Sequence, residues 1–187
     1  MCDFASFVVM ILTVERIVIL GCAGTGKTTL ARQLGGMIGA PVICLDETWQ
    51  SHWGKEAVPA FRVLIEKMHA GEYWISDGNF AVATFDLRLP RATLVLWMER
   101  PKLVCSWRVI VRAFTPGEAH GLHGLLKVLA FIWNFNRMNR PRIEALRVSH
   151  GPHVPVRRLT KSRDIAQFLS KYEDRNDTHA LNSQPPA

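Results

Sequence analysis

No apolar run in this 187-residue chain is long enough to cross a bilayer. The nearest approach, Phe4 to Val14, is short and lacks the basic leader and cleavage site of a secretory signal, so the sequence predicts a cytoplasmic protein with no membrane segment. Cysteine is scarce. Cys2, Cys22, Cys44 and Cys105 show no C-x-x-C spacing and no pairing with histidine, which excludes the usual zinc patterns and a disulfide scaffold and reads as reduced thiols. There is no internal repeat, no N-K-x-D guanine signature, and no helix-turn-helix, zinc-finger or RNA-binding signature. Carboxylates are missing from one long stretch. From Arg100 to Arg163 thirteen Lys and Arg face only Glu118 and Glu144, a net of +11 in a chain whose total is +7. Such an excess calls for an anionic ligand or for nucleic acid, and charge alone does not choose between them. With 48% hydrophobic and 21% charged residues, one globular domain is the expectation.

What is present is one sharp motif. Gly21-Cys22-Ala23-Gly24-Thr25-Gly26-Lys27-Thr28 fits G-x-x-x-x-G-K-S/T without a mismatch. Its flanks fit as well. Arg16 to Leu20 is a β-branched apolar run suited to a strand buried on both faces, and Leu30, Ala31, Leu34, Met37 and Ile38 recur at helical spacing. A strand that delivers such a loop to a helix makes an anion cradle. The glycines let the chain phosphates approach the backbone, the N–H groups and the helix N-terminus face them, and Lys27 adds a charge for the β- and γ-phosphates. The loop through Thr29 is therefore the expected ATP site, with the Thr28 hydroxyl as a ligand for Mg2+.

The rest of the chain alternates strand and helix patterns. Val42 to Leu45 reads as a second buried strand ending at Asp46, followed by a connection rich in aromatic residues, with Trp49, His52 and Trp53. A helix follows with Val58, Phe61, Leu64, Ile65 and Met68 on one face. Tyr73 to Ser76 reads as a third strand ending in Asp77-Gly78-Asn79. An acid at that place is either a simple turn residue or a carboxylate that holds magnesium beside the γ-phosphate. A fourth strand, Thr93 to Met98, precedes a helix whose expected inward face is Val104, Trp107, Val111 and Phe114. Thr115 to Gly124, broken by Pro116, Gly117, Gly121 and Gly124, reads as a mobile cover carrying His120 and His123 as solvated residues. A second apolar helix, with a stripe of Leu122, Leu125, Leu126, Leu129, Ile132 and Trp133, turns basic at Arg137, Arg140 and Arg142, where Pro141 is expected to break or kink it. Val154 to Leu159 is a fifth strand, and Ile165, Phe168 and Leu169 mark a last helix.

This order predicts an α/β protein of the P-loop NTPase fold, a five-stranded parallel sheet with helices on both faces and a helical or loop lid. The expected division is an extension at 1–14, a kinase-like domain at 15–172 and a disordered tail at 173–187. The loop region Arg16 to Leu34, the Asp77-Gly78-Asn79 turn, the run Phe85 to Arg91, the Trp133-Asn134-Phe135 segment and Val156 to Leu159 resemble the adenylate-kinase-like bacterial P-loop proteins labelled topology modulation proteins. The resemblance covers Glu15 to Ser170 and implies a small kinase. It also aligns Asp77 with the Asp-Gly of nucleoside monophosphate kinases. The chain departs from those at Asn79-Phe80-Ala81, where they carry a Phe-Pro-Arg that holds the acceptor phosphate, so Arg88 and Arg62 stand as candidate substitutes.

The expected reaction is transfer of the ATP γ-phosphoryl group to a nucleotide or a small hydroxyl-bearing metabolite. Lys27, Asp77, Asp46 and the arginines Arg108, Arg112, Arg137 and Arg140 are the expected catalytic set. Asp46 would accept or orient the acceptor proton, Thr28 and Asp77 would hold the metal, and the arginines would close over the phosphates. The competing expectation is a nucleic-acid-binding protein, active in DNA topology, with a regulatory P-loop. The acceptor and the oligomeric state are left open.

Overall fold

The computed structural model describes residues 16–49, 57–115, 122–170 and 172. The expected extension at 1–14 and tail at 173–187 lie outside them, as do His52, Trp53, Pro116, His120 and Glu118. The described elements are β1 (Arg16–Gly21), α1 (Lys27–Ile38), β2 (Val42–Cys44), a single helical turn α2 (Leu45–Thr48), α3 (Val58–Met68), β3 (Trp74–Asp77) and α4 (Ala81–Arg88). They continue with β4 (Leu94–Met98), α5 (Lys102–Ala113), α6 (Leu122–Asn134), a π-helical turn at Phe135–Asn139, α7 (Arg140–His150), β5 (Val156–Leu159) and α8 (162–170).

The described strands form one parallel sheet in the order β2-β3-β1-β4-β5. The central strands are buried because helices cover both faces, and alternate residues feed two cores. Val18, Leu20, Trp74, Val95 and Trp97 point toward Phe61, Ile65, Phe85, Ile132 and Phe135, whereas Ile17, Ile19, Ile75, Leu94 and Leu96 point toward Leu30, Leu34 and Phe168. Each such large side chain, fully buried, contributes about 1.5–3 kcal/mol. Register aligns the C-terminal ends of the strands. Ile19 lies beside Asp77, Asp77 beside Cys44, and Gly21 beside Met98, so the phosphate-type loop, the Asp-Gly turn and Asp46 share one edge of the sheet. In an open parallel sheet this edge is where ligands bind.

Several local expectations change. The second strand stops at Cys44, is half-buried at the sheet edge, and passes directly into α2, so Asp46 stands on a helical turn and not at a strand end. Pro141 occupies the first turn of α7, and the α-helical ladder is interrupted directly before it by the π-helical turn Phe135–Asn139. The largest correction is α5. Val104, Trp107, Val111 and Phe114 are exposed, and the face turned inward is Cys105, Ser106 and Val109. Helical spacing tells which residues share a face but not which face meets the body. Here the loop at Gly24 lies so close that a Cβ would sit 2.5 Å from the Cys105 carbonyl oxygen, and only small side chains fit between them. Leu122, Leu126 and Trp133 of α6 are likewise exposed, while Ile132 alone of the expected stripe is fully buried.

Candidate functional site

The loop from Cys22 to Gly26 is held open by its own chain. Thr25, almost fully buried, donates its hydroxyl to the Cys22 carbonyl oxygen at 2.8 Å, and the Thr25 N–H approaches the same oxygen at 3.4 Å. Gly26 caps α1 at φ +96°, a left-handed conformation that glycine adopts without strain. No side chain caps this helix, and its first turn contains no acid, so its N-terminal N–H groups and dipole face the loop interior unneutralised. The Lys27 ammonium donates to the Cys22 carbonyl oxygen at 3.1 Å and so lies across the mouth of its own loop.

Asp77 closes the other side. Its Oδ2 accepts a hydrogen bond from the Thr28 hydroxyl at 2.5 Å, while Oδ1 is buried with no hydrogen-bond partner among the described residues. Burial raises the Asp77 carboxyl above the ordinary range, and the Thr28 hydrogen bond and the Lys27 charge pull it back. An orphaned carboxylate oxygen beside a threonine hydroxyl, at the edge of an anion cradle, needs a cation or an ordered donor. Asn79 fixes this turn to the loop: its side-chain N–H donates to the Gly21 carbonyl oxygen at 2.9 Å and its Oδ1 accepts from the Gly21 N–H at 3.1 Å. Behind the turn lies Arg88, fully buried and without a carboxylate partner among the described residues. It donates to Thr84 Oγ1 at 3.0 Å, Ser76 Oγ at 2.9 Å and the Gly78 carbonyl oxygen at 2.9 Å, and also to the Asn79 carbonyl oxygen.

A cavity of about 450 Å³ opens from this edge. It is lined by Ala23, Gly24, Gly26, Lys27, Thr28 and Thr29 of the loop and α1, by Asp46, Asn79 and Phe80, and by Arg108, Val109, Arg112 and Phe131 of α5 and α6. Of the residues expected from sequence, the loop, Lys27, Asp46, Arg108 and Arg112 thus meet in one space, and Asp77 stands at its floor through Thr28. Arg108 leans on the loop, 3.5 Å from the Gly24 carbonyl oxygen and 3.4 Å from that of Thr25. The other two arginines go elsewhere. Arg137 is exposed on the π-helical turn. Arg140 forms an ion pair with Glu99 at 2.7 Å, lies over the Trp97 ring, and lines a separate cavity of about 370 Å³ with Cys22, Thr25 and Arg100. Cys22 is packed under the loop beside Cys105, and burial pushes its thiol up to about 11.

Neither arginine considered as a substitute for an acceptor clamp has an open guanidinium. Arg62 forks onto Asp86 at 2.6 and 3.0 Å and reaches the Ala83 carbonyl oxygen at 2.6 Å, while Arg88 is taken up by the turn. The sequence reading missed Asn79, Phe80 and Phe131 as wall residues. Asn79 had a signal in its place directly after Asp77-Gly78. Phe80 had none, because its role rests on a left-handed φ of +33° that turns its ring toward Trp49 and Phe61.

No protein-family model matches the chain. A curated relative, endoglucanase 10 of Oryza sativa subsp. japonica, is 27% identical over 114 residues, 59% of this chain and 17% of that protein, so the chain spans a small part of its length. Among solved structures, the shikimate kinase of Acinetobacter baumannii in complex with shikimate superposes at a TM-score of 0.51, with 14% identity over 92% of this chain and 97% of that one. The shikimate kinase of Bacteroides thetaiotaomicron gives 0.52, with 16% identity over 87% and 98%, and a gluconokinase of Sinorhizobium meliloti 1021 gives 0.51, with 13% identity over 92% and 99%. The chain therefore has the fold of the small P-loop kinases. At these identities the likeness is one of architecture.

Proposed function

We propose that the protein is an ATP-dependent phosphotransferase that passes the γ-phosphoryl group to a small hydroxyl-bearing metabolite or a nucleotide. The observation that carries this reading is the single cavity in which the anion loop, Lys27, Asp46, Arg108 and Arg112 meet. Phosphoryl transfer asks for positioning and charge neutralisation more than for covalent chemistry. The loop N–H groups and Lys27 hold the β- and γ-phosphates. Arg108 and Arg112, always protonated, stabilise charge on the transferring group from α5. Asp46, which lines the same cavity as Lys27, accepts or orients the proton of the attacking hydroxyl. The names of the structural neighbours, shikimate kinase and gluconokinase, agree with a small-molecule acceptor.

The residues present fit Mg2+. The orphaned Asp77 Oδ1 and the Thr28 hydroxyl supply hard oxygen donors, and no cluster of three or more acidic, His or Cys ligands exists among the described residues. That set suits an ion that keeps most of its waters and takes further oxygens from substrate phosphates. When bound there, magnesium supplies charge neutralisation between the β- and γ-phosphates. Arg137 and Arg140 belong to the same proposal only through closure of the α5–α6 region over the site, with Arg140 leaving Glu99.

Calorimetry with Mg-ATP on Lys27→Ala tests the nucleotide half, the expected loss of affinity or turnover being about 100-fold or more. Nucleotide binding unaffected by that change removes the proposal. ATP-consumption assays over nucleoside monophosphates, nucleosides and small hydroxy acids identify the acceptor, and turnover with AMP alone selects the nucleotide version. The nucleic-acid reading loses part of its support because Arg140, Arg147 and Arg158 are paired with Glu99 and Glu144. It is restored by submicromolar, salt-steep DNA binding without phosphorylation of any acceptor.

A further inference from the structure

Helix α5 exposes Leu103, Trp107, Val111 and Phe114, and α6 exposes Leu122, Leu126, Ala130 and Trp133. Both series step by four, four and three residues, so each forms one stripe along its helix. The exposure is large: 71% for Leu103, 67% for Trp107, 80% for Phe114 and 74% for Leu122. The two helices pack against each other, and Lys102 ties the stripes together at one end by donating to the Trp133 carbonyl oxygen at 2.8 Å while lying over its ring. Taking large side chains at about 150–250 Å², the stripes leave roughly 900 Å² of apolar side chain in water, above the 300–600 Å² of the largest patch on a typical monomer.

We infer that this face is covered by the same face of a second copy of the chain, the two α5–α6 pairs stacking across a two-fold axis as a layer of four helices. Area supports this occupant. Covering the patch on both copies removes roughly 1,800 Å² from water, within the range of about 1,200–2,000 Å² for stable specific complexes. Charge supports it as well. No stripe residue is charged, and Lys102 at the end of the stripes keeps the Trp133 carbonyl oxygen as its acceptor within a self-complementary contact. Among the cations of these helices, Arg108 leans on the loop carbonyls and Arg112 lines the cavity, which leaves Lys102, over the Trp133 ring at one end of the stripes, and Lys127. An anionic bilayer would need cations bordering the apolar stripe, as interfacial helices have. The apolar-only stripes on two adjacent helices are instead what helix-on-helix packing uses.

Sedimentation velocity of the full chain over a roughly hundredfold range of concentration tests this directly. The wild type is expected to sediment as a dimer, and Trp107→Glu on α5 and Leu126→Glu on α6 each as a monomer, with the dissociation constant raised at least about 100-fold. Trp107→Ala, which adds no charge, is expected to weaken the dimer at least about tenfold, and unchanged far-ultraviolet circular dichroism shows that the variants fold. Val63→Glu, on α3 and equally exposed, is expected to stay dimeric. A wild type that is monomeric throughout overturns the proposal, as does a dimer that survives both glutamate variants. Co-sedimentation of a monomeric wild type with vesicles of phosphatidylcholine and phosphatidylglycerol, lost in Trp107→Glu, overturns it in favour of a bilayer.

Discussion

Replacing Arg88 should uncouple the Asp-Gly-Asn turn from the sheet and, through it, loosen the Gly21–Thr28 loop. The guanidinium is fully buried, faces four oxygen acceptors and has no carboxylate in direct contact among the described residues. Burial pushes it down to about 9, with Asp77 and Asp46 opposing that fall, so it is still protonated at neutral pH. In Arg88→Met the hydroxyls of Ser76 and Thr84 can rotate to other partners, but the carbonyls of Gly78 and Asn79 cannot. Each orphaned carbonyl costs about 1–3 kcal/mol. Relief from burying a lone charge offsets part of this, which leaves a net loss of about 2–4 kcal/mol. Arg88→Lys keeps the charge but cannot fork onto two carbonyls and a hydroxyl at once, so it should recover less than half of the loss. Urea denaturation followed by tryptophan emission measures this, since Trp74 and Trp97 are buried on the same core face as Phe85. On the folded population, Mg-ATP affinity should fall at least about tenfold, because Asn79 brackets both backbone groups of Gly21 and loses its own anchor. A stability within about 0.5 kcal/mol of wild type together with unchanged ATP affinity would refute the reasoning, since neutral surface changes alone stay inside that limit.

Acid should destabilise the fold through His69, which is buried against Trp74 with Nδ1 2.7 Å from the Ile65 carbonyl oxygen and Nε2 without a partner among the described residues. Burial lowers its pKa to about 4 from the ordinary 6.5, so the folded chain holds it neutral while the unfolded chain protonates; stability present above pH 6.5 is lost as pH falls toward 4, by about 3 kcal/mol in total, and His69→Leu should flatten that slope in urea titrations at several pH values. Gly24→Ala puts a methyl 2.5 Å from the Cys105 carbonyl oxygen at a φ of +77°, so it should cost about 2–4 kcal/mol in thermal unfolding and abolish ATP binding, whereas wild-type behaviour would mean the loop does not press on α5. Burial raises the Cys22 and Cys44 thiols to about 11 from 9, which leaves about 100-fold less thiolate than a free cysteine; peptide mapping after brief iodoacetamide treatment at neutral pH should find both unmodified until the chain is unfolded.

The glycine-rich loop and the parallel α/β frame were legible in the residues because both rest on local rules. A β-branched run, three glycines, a lysine and a helical stripe each act within a few positions of one another, and Gly21 to Thr28 needs no distant partner to be recognised. The strands leading to Gly21 and Asp77 followed from the same rules, and register then set Asp77 beside Ile19, two residues before Gly21. The tertiary structure decided what periodicity leaves open. A stripe on α5 could face either way until the close pass of Gly24 admitted only Cys105, Ser106 and Val109 beneath it, which turned Trp107 and Phe114 outward. It likewise decided which arginines serve the cavity. Arg108 and Arg112 reach it because α5 runs along the loop, whereas Arg140 meets Glu99 first and Arg88 is drawn beneath the Asn79 turn. Charge is written in the chain, but the partner of each charge is set by which strand ends and helix faces come within a few ångströms, and that depends on packing between residues far apart in sequence.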